Sequence, residues 1–248
     1  MRRLVAVLAL IAAVAMLAAA CGDDDSTSGT ATPGPTRAAT AKTAGTPAGA
    51  DKVVAGINAI NYPAELQSGT SLGKADAPVT IQMFEDFTCP HCLEFMATLE
   101  PDIIQQLVVP GKARLEFHYL PLRQSSVPAM VAAQCASEQG KFMDYRRRLF
   151  VEQAKADALP ANQISDGLAN AFSQDSLNRY AQELGLDTTK FQACYDGDAA
   201  LNVIVGDARQ SDTLGMKGTP TFVVNGQVLL SGYPSTIGDW EKLVNGTK

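Results

Sequence analysis

The chain has 248 residues, of which 46% are hydrophobic and 19% are charged, so it is long enough for one sizeable domain or two small ones. Its formal net charge of −6 at pH 7 lacks the basic excess of a protein that binds DNA or RNA, and we expect no nucleic-acid partner. The five cysteines therefore become the main guide to chemistry.

The first twenty residues have the pattern of an export signal. Arg2 and Arg3 form a short positive segment, and an uncharged run rich in leucine, alanine and valine follows over residues 4–20. The alternative is a membrane anchor helix, because the apolar run lies at the lower limit of what spans a bilayer. An exported chain works where its cysteines can form disulfides.

The stretch MLAAACGDDD resembles the signal of a bacterial lipoprotein, although Ala18 stands where such signals usually have leucine. The resemblance implies that residues 1–20 are a signal peptide and that Cys21 becomes the lipidated N-terminus. We therefore expect a protein that is lipid-anchored on the extracytoplasmic face of the cytoplasmic membrane.

Residues 21–50 are predicted to be a disordered tether. Between residues 26 and 50 the chain has low complexity and no large apolar residue, so it cannot bury enough surface to offset the entropy of ordering. We expect one folded domain over residues 51–248.

A strand, a helix and a second strand are predicted at the start of this domain. Residues 77–87 are rich in β-branched and aromatic side chains, with Ile81, Met83 and Phe87 on one alternating face. Residues 112–122 alternate in the same way. Between the two predicted strands, apolar residues recur at the spacing of a helix. Such a unit implies parallel strands with a right-handed connection.

The crossover helix contains two prolines with opposite consequences. Pro90 suits the first turn, because its missing N–H would have no partner there. Pro101 falls inside the helical periodicity, and we expect it to kink the helix.

The rest of the domain is predicted to be helical and then to return to strands. Residues 126–214 carry repeated helix start and stop signals, at 126–140 with a serine cap, at 175–185 and at 188–197. Two β-rich runs then flank Asn225-Gly226, a dipeptide that strongly favours a hairpin. A last helix is expected over residues 235–244.

The stretch FEDFTCPHCLEF places Cys89 and Cys92 between the first strand and its helix. In an exported protein this spacing predicts a thiol–disulfide exchange site. We expect Cys89 to be the exposed, attacking thiolate at the positive helix end, with His91 beside it, and Cys92 to be the covered, resolving thiol. A stabilised thiolate favours the reduced form, so the motif predicts an oxidant.

Two other interpretations of this pair stay open. A structural zinc site would need two more ligands from His91, His118, Cys135 and Cys194, none of which stands in a second Cys-x-x-Cys. A purely structural disulfide is the other. We expect no metal and no cofactor.

A strand entering CPHC, a helical block and then GTPTFVVNG together resemble the DsbA-like branch of the thioredoxin superfamily, over roughly residues 70–246. The resemblance implies an α/β, thioredoxin-like fold: a central mixed sheet flanked by helices, with a helical subdomain inserted at about 124–214. It also implies that Thr219-Pro220 is a cis-proline loop against the active site, where the backbone of Thr219 pairs with substrate chains. An ordinary strand entry is the alternative for Pro220.

An acid that assists the second thiol is expected near the end of the strand before the cysteines. Thioredoxin has a buried acid six residues before its first cysteine, and Met83 stands there in this chain. Glu85 shares the strand face of Met83 and is the candidate for proton transfer with Cys92, with Asp86 as the second choice. The alternative is an exposed or capping carboxylate.

Cys135 and Cys194 fall in the helical block and are predicted to form a structural disulfide worth roughly 4 kcal/mol. Two buried free thiols or a second redox pair are the alternatives. The run YRRRLF, residues 145–150, is interpreted as a solvated helix face, with a docking patch as the alternative. His118 is expected on the solvent side of its strand.

Together these observations predict an extracytoplasmic thiol:disulfide oxidoreductase that oxidises cysteine pairs in exported proteins. Its partners would be those substrates and a membrane redox partner that resets the dithiol. A reductase or an isomerase of the same fold is the alternative within the class. A non-catalytic lipoprotein that binds a ligand or a metal is the alternative outside it.

Overall fold

The structure is a computed structural model that describes residues 48–230 and 232–246. The predicted signal peptide, the lipidated Cys21 and most of the predicted tether lie outside the described residues. Helix α1 (Ala48–Asn58) begins three residues before the expected start of the folded domain. Within the described part of the chain, no helix is long and apolar enough to cross a membrane.

One mixed sheet forms the centre of the domain. Its strands in chain order are β1 (Gln67–Ser68), β2 (Ser71–Leu72), β3 (Val79–Glu85), β4 (Ala113–Tyr119), β5 (Thr221–Val224) and β6 (Gln227–Val228). Their order across the sheet is β1-β2-β4-β3-β5-β6. Strands β3 and β4 are parallel and the other neighbours are antiparallel. The central mixed sheet expected from the sequence is confirmed.

Strands β3 and β4 follow the side-chain patterns that predicted them. Ile81, Met83 and Phe87 are all fully buried. Along β4, buried residues alternate with half-buried ones, as the period of two in a strand requires. The parallel pairing runs from Val79 opposite Ala113 to Glu85 opposite Tyr119.

The crossover between these strands is broken rather than gently kinked. Helix α2 (Pro90–Thr98) has Leu99 as its C-cap, and α3 (Glu100–Ile103) begins directly after Leu99, before a π-helical turn. Pro101 lies in the first turn of α3. Its ring would clash with the carbonyl of the residue four positions earlier, and it has no N–H to donate. Helix α2 therefore cannot continue through Pro101, and a new helix starts there.

Six helices fill the insertion between β4 and β5, after a 3₁₀ turn at Gln124–Ser126. They are α4 (Val127–Ser137), α5 (Phe142–Asp157), α6 (Ile164–Ala171), α7 (Gln174–Glu183), α8 (Thr188–Asp196) and α9 (Asp198–Thr213). The helical insertion is therefore confirmed within the described residues.

The caps of these helices differ in part from expectation. Ser126 occupies the N-cap position of α4, yet its side chain does not cap the helix. Its hydroxyl instead donates to a carboxylate oxygen of Asp86 at 2.9 Å. Helix α7 starts one residue earlier than predicted, because Ser173 accepts the N–H of Ser176. Asp187 caps α8 in the same way.

The C-terminal part closes the sheet. Asn225 and Gly226 have φ angles of 47° and 84°, so the predicted hairpin between β5 and β6 is confirmed. Helix α10 (Ile237–Gly246) follows, two residues later than expected. Phe222 of β5 contacts both Phe95 of α2 and Trp240 of α10, with ring centroids 4.8 and 5.0 Å away. This aromatic cluster fixes α2 against the sheet.

Candidate active site

Cys89 and Cys92 lie where β3 gives way to α2. Cys89 is the N-cap residue with an extended backbone, and Pro90 takes the first helical position, as predicted. The carbonyl of Cys89 accepts the N–H groups of Cys92 and Leu93 at 3.1 and 3.2 Å. Both thiols are free, so the structure represents the dithiol form of the pair.

The two thiols differ in exposure less than the sequence predicts. Cys92 is completely buried, but Cys89 is also only 7% exposed. The expectation of an exposed first thiol is therefore wrong for this structure. The reason lies 130 residues away, where the backbone carbonyl of Thr219 accepts a hydrogen bond from the Cys89 sulfur at 3.2 Å.

The local hydrogen bonds separate the two thiols chemically. They lower the pKa of Cys89 from 9.0 to about 5, and the hydrogen bond from the Cys92 thiol is the largest cause. Burial opposes this shift, while Thr219 and the backbone N–H groups of Cys92 and His91 support it. Burial raises the pKa of Cys92 well above its usual value, and the Cys89 thiolate adds to the rise. At neutral pH the pair is one thiolate and one thiol.

His91 supports Cys89 through its backbone rather than its ring. The imidazole is exposed at the surface, with Nδ1 3.4 Å from a carboxylate oxygen of Glu94. No hydrogen bond joins this ring to Cys89 among the described residues. The predicted place of the side chain beside the thiolate is therefore wrong, because the helix turns the side chain at this position outward.

Thr219 and Pro220 lie directly against the cysteine pair. The peptide bond between them is cis, and β5 begins at the next residue. The Thr219 hydroxyl is buried and has no hydrogen-bond partner in the described structure. The contact with the nucleophile is made by the Thr219 carbonyl, which accepts the hydrogen bond from the Cys89 thiol.

Glu85 belongs to a buried ion cluster, which we define as Tyr62, Glu85, Glu100 and Arg146. The guanidinium of Arg146 donates to both oxygens of Glu85 at 2.7 and 2.8 Å. It also donates to both oxygens of Glu100 at 2.7 and 2.8 Å. The Tyr62 hydroxyl donates to Glu100 at 2.7 Å. An arginine thus joins two carboxylates inside the core.

This cluster changes the interpretation of Glu85. The carboxylate is neither exposed nor a helix cap, so both alternatives are wrong. Burial raises the pKa of Glu85, and Arg146 opposes the rise. The negative charge of Glu85 in turn helps to raise the pKa of Cys92. Both oxygens of Glu85 accept hydrogen bonds from Arg146, and no hydrogen bond joins Glu85 to Cys92 among the described residues. Direct proton transfer from Glu85 to Cys92 therefore stays a prediction.

Asp86, the second choice, holds the loops around the site together. One oxygen accepts the backbone N–H and the hydroxyl of Thr88 at 2.7 and 2.8 Å. The other accepts the N–H of Leu122 and the hydroxyl of Ser126 at 2.8 and 2.9 Å. Its carboxylate is saturated with hydrogen bonds, which suits a structural role.

Sequence reasoning missed Arg146. The run YRRRLF was expected to be solvated, yet Arg146 is fully buried and lies 4.0 Å from the ring centroid of Phe117. A signal was present in the sequence: Phe142, Leu149 and Phe150 stand four before, three after and four after it, on one helical face. A cation in that apolar stripe implies a buried acidic partner.

Asp157 and Gln153 are a second pair that the sequence did not reveal. Gln153 is completely buried, and neither atom of its amide has a hydrogen-bond partner among the described residues. Burial raises the pKa of the Asp157 carboxyl, the Gln153 amide opposes the rise, and the Cys89 thiolate adds to it. Helix α5 therefore brings a carboxylate into the electric field of the nucleophile.

The side chains that the alternative zinc site would need have other partners. Cys135 of α4 and Cys194 of α8 are joined by a disulfide. His118 is only 20% exposed, since its Nδ1 lies 2.9 Å from Asp207 of α9, so the expected solvent-side position is wrong. In the described part of the chain no group of three or more His, Cys, Asp or Glu residues could hold a metal ion.

Comparison with known proteins places these features in context. A family model described as thioredoxin matches residues 65–245. The chain is 30% identical over 175 residues to the Na⁺/H⁺ antiporter NhaA 3 of Salinispora tropica, covering 69% of this chain. It covers 24% of that relative, so it spans about a quarter of the antiporter's length.

Two further relatives are matched over most of their length. Disulfide bond formation protein D of Bacillus subtilis is 24% identical over 186 residues, which is 72% of this chain and 78% of that protein. The crystal structure of a thioredoxin-like oxidoreductase from Silicibacter pomeroyi is 26% identical, with a TM-score of 0.54. That match covers 71% of this chain and 90% of the other.

Proposed function

Because the chain belongs to the thioredoxin family, we propose that it is a thiol:disulfide oxidoreductase that oxidises cysteine pairs in exported proteins through Cys89 and Cys92. The thioredoxin-like fold expected from the sequence is confirmed. The observation that carries the proposal is the contrast between the two thiols, with the pKa of Cys89 lowered to about 5 and that of Cys92 raised. A disulfide that only holds the structure together does not need two thiols with different pKa values.

The contrast assigns a role to each sulfur. A substrate thiolate attacks Cys89 of the oxidised enzyme, the Cys89–Cys92 bond breaks, and Cys92 leaves and takes up a proton because its pKa is high. A second substrate thiolate then attacks the substrate sulfur of the mixed disulfide, and Cys89 leaves as a stable thiolate. The substrate loses two electrons and two protons. The enzyme gains both electrons and one proton, and the other proton goes to solvent.

The direction follows from the same stabilisation. A thiolate that is favoured in the folded protein stabilises the reduced form, which makes the disulfide form a stronger oxidant. The name of the Bacillus subtilis relative, a disulfide bond formation protein, supports this direction. A membrane redox partner that accepts two electrons returns the pair to the disulfide.

The neighbouring residues position the substrate and the second thiol. The backbone of Thr219 pairs with the substrate chain next to the reacting sulfur, and cis-Pro220 holds it there. Glu85 acts on Cys92 through its negative charge and receives or returns its proton. Pro90 and His91 form the helix start that stabilises Cys89.

The place of action follows from the N-terminal sequence. Removal of residues 1–20 and lipidation of Cys21 leave the domain on the extracytoplasmic face of the cytoplasmic membrane, at the end of its tether. Exported proteins with unpaired cysteines are the substrates within reach.

The test is oxidation of a reduced two-cysteine peptide by one equivalent of the disulfide form of the protein, followed by mass. We expect complete conversion of the peptide to its disulfide. With Cys92→Ser carrying an activated mixed disulfide on Cys89, and a peptide that has a single cysteine, we expect a stable peptide–enzyme adduct, because no second thiol is present to release Cys89. An enzyme that forms no adduct and oxidises no peptide would contradict the proposal.

A further inference from the structure

A groove opens beside the nucleophile on the side of the helical insertion. Its volume is about 480 Å³, and its wall includes Thr88, the residue directly before Cys89. The other main lining residues are Arg123, Ala161, Ile164, Leu168 and Ala169. The groove is separate from the Thr219-Pro220 loop, which contacts the Cys89 sulfur itself.

Helix α6 contributes to the groove an apolar face that nothing in the described chain covers completely. Helix α6 contains no fully buried residue. Its Ile164 and Leu168, one helical turn apart, are half-buried and line the groove. Leu122, next to Arg123 in the chain, is 47% exposed. Apolar surface left open beside a reactive group is typical of a binding site.

The lining of the groove includes an unpaired positive charge. Arg123 is exposed, and among the described residues its guanidinium takes part in no ion pair or hydrogen bond. By contrast, Arg146, Arg147 and Arg148 each pair with a carboxylate. A free guanidinium in the lining of a partly apolar groove is complementary to a carboxylate on a bound chain.

We propose that this groove is a substrate subsite that selects polypeptides with an apolar side chain and an acidic side chain next to the reacting cysteine. The apolar side chain packs against Ile164 and Leu168, and the acidic side chain pairs with Arg123. The inference rests on the proposed function, because its occupant is the thiol substrate of Cys89. Thr88 in the groove wall directly precedes Cys89 in the chain. The substrate residues that reach the groove are therefore those close to the reacting sulfur.

The test compares the rates at which two reduced two-cysteine peptides form a mixed disulfide with the full-length protein. One has leucine and glutamate beside the first cysteine, and the other has serine and lysine there. We expect the apolar, acidic peptide to form the mixed disulfide about tenfold faster per unit concentration, as burial of one apolar side chain implies. Equal rates would overturn the inference.

Two matched pairs of variants separate the groove from general effects. Arg123→Glu should slow the acidic peptide about fivefold and speed the basic one, while Arg209→Glu, an exposed arginine of α9 outside the groove, should change neither. Leu168→Ser should remove the preference for leucine, and Leu201→Ser on α9 should not. A shift with Arg123→Glu no larger than that with Arg209→Glu would overturn the inference.

Exchange with a small uncharged thiol, 2-mercaptoethanol, distinguishes this inference from the proposed function. This thiol has neither an apolar side chain nor a carboxylate, so its rate reports the reactivity of Cys89 without the groove, and Arg209→Glu and Leu201→Ser should keep the wild-type rate. Wild-type protein that exchanges with 2-mercaptoethanol but does not distinguish the peptides contradicts the subsite alone. Wild-type protein that exchanges neither with 2-mercaptoethanol nor with the peptides contradicts the proposed function.

Discussion

The protein contains two cysteine pairs whose surroundings differ in almost every respect. Cys89 and Cys92 stand two residues apart at a helix start and are free thiols. Cys135 and Cys194 stand 59 residues apart and are bonded to each other across two helices. The first pair lies at the end of the central strand, and the second lies within the insertion.

The difference shows what makes a disulfide reactive. At Cys89, hydrogen bonds to the sulfur stabilise the thiolate that leaves when the bond breaks. Cys135 lies inside α4, where the backbone N–H groups are used by the helix and the side chain is fully buried. A leaving thiolate at Cys135 would have neither donors nor solvent. One pair is therefore suited to exchange and the other to holding two helices together.

The largest expected effect is the loss of exchange in Cys89→Ser. Without the sulfur that forms the mixed disulfide with the substrate, the rate of disulfide exchange should fall by at least about 10³-fold, because no other sulfur in the site replaces it. Stopped reactions analysed by alkylation and mass measure this rate. The matched control carries both Cys135→Ser and Cys194→Ser and should retain the wild-type rate. A loss of exchange in this control would mean that the second pair also takes part in disulfide exchange, which would contradict its structural role.

The complementary change breaks the structural pair. Cys135→Ala with Cys194→Ala should lower the free energy of unfolding by about 4 kcal/mol, since the bond closes a loop of about 60 residues in the unfolded chain. Urea unfolding of the disulfide and double-alanine forms measures the difference. A change of less than about 1 kcal/mol would contradict the structural role of this bond.

Arg146→Met tests how the insertion is coupled to the reactive pair. The variant leaves two carboxylates buried without their cation, which should cost about 3 kcal/mol of stability or more. Arg148→Met, in a part-exposed ion pair of the same helix, should cost about 1 kcal/mol or less. Urea unfolding at neutral pH checks both values, and equal losses in the two variants would contradict the account.

The stability of Arg146→Met should also change with pH in a specific direction. Burial already raises the pKa of Glu85 above that of the unfolded chain, and without the cation nothing opposes this rise. The variant should then be most stable in acid, below the unfolded pKa of this carboxyl group, and lose stability as the pH rises through the folded pKa. Unfolding measured from acid to neutral pH would show this trend, and a loss of stability toward acid would contradict it.

A smaller effect is the pH dependence that Cys89 gives to the reduced protein. Its folded pKa of about 5 lies below the unfolded value of 9.0, so its contribution to stability is complete above about pH 9. That contribution declines as the pH falls and is lost below about pH 5. Thiolate absorbance and unfolding of the reduced form should both report this range, and Cys89→Ser should remove it. A thiolate midpoint near 9 would contradict the assignment of Cys89.

The reactive pair was predictable because its signals are local. The alternation of β3 and β4, the proline after Cys89 and the spacing to Cys92 all lie within about forty residues of sequence. The strand periodicity, the helix start and the cysteine motif agree with each other, so one structural interpretation explains all three. The hairpin at Asn225-Gly226 was equally local, since both residues adopt positive φ angles.

The contacts that tune the pair were not predictable in this way. Glu85 meets Arg146 from 61 residues away, and the Cys89 sulfur meets Thr219 from 130 residues away. Sequence pattern could indicate that Arg146 lies on an apolar stripe, but not which acids it would face. Ser126 shows the same limit, because its expected role as a cap was displaced by a distant carboxylate, Asp86.

The central claim is tested most directly by the reduction potential of the Cys89–Cys92 pair in the full-length protein. The pair would be equilibrated in glutathione buffers and quantified by alkylation and mass, with Cys135 and Cys194 left bonded. The account predicts a midpoint less negative than about −180 mV, so that substrate thiols are oxidised downhill. A midpoint near −270 mV would contradict it and indicate a reductase that receives electrons through the membrane.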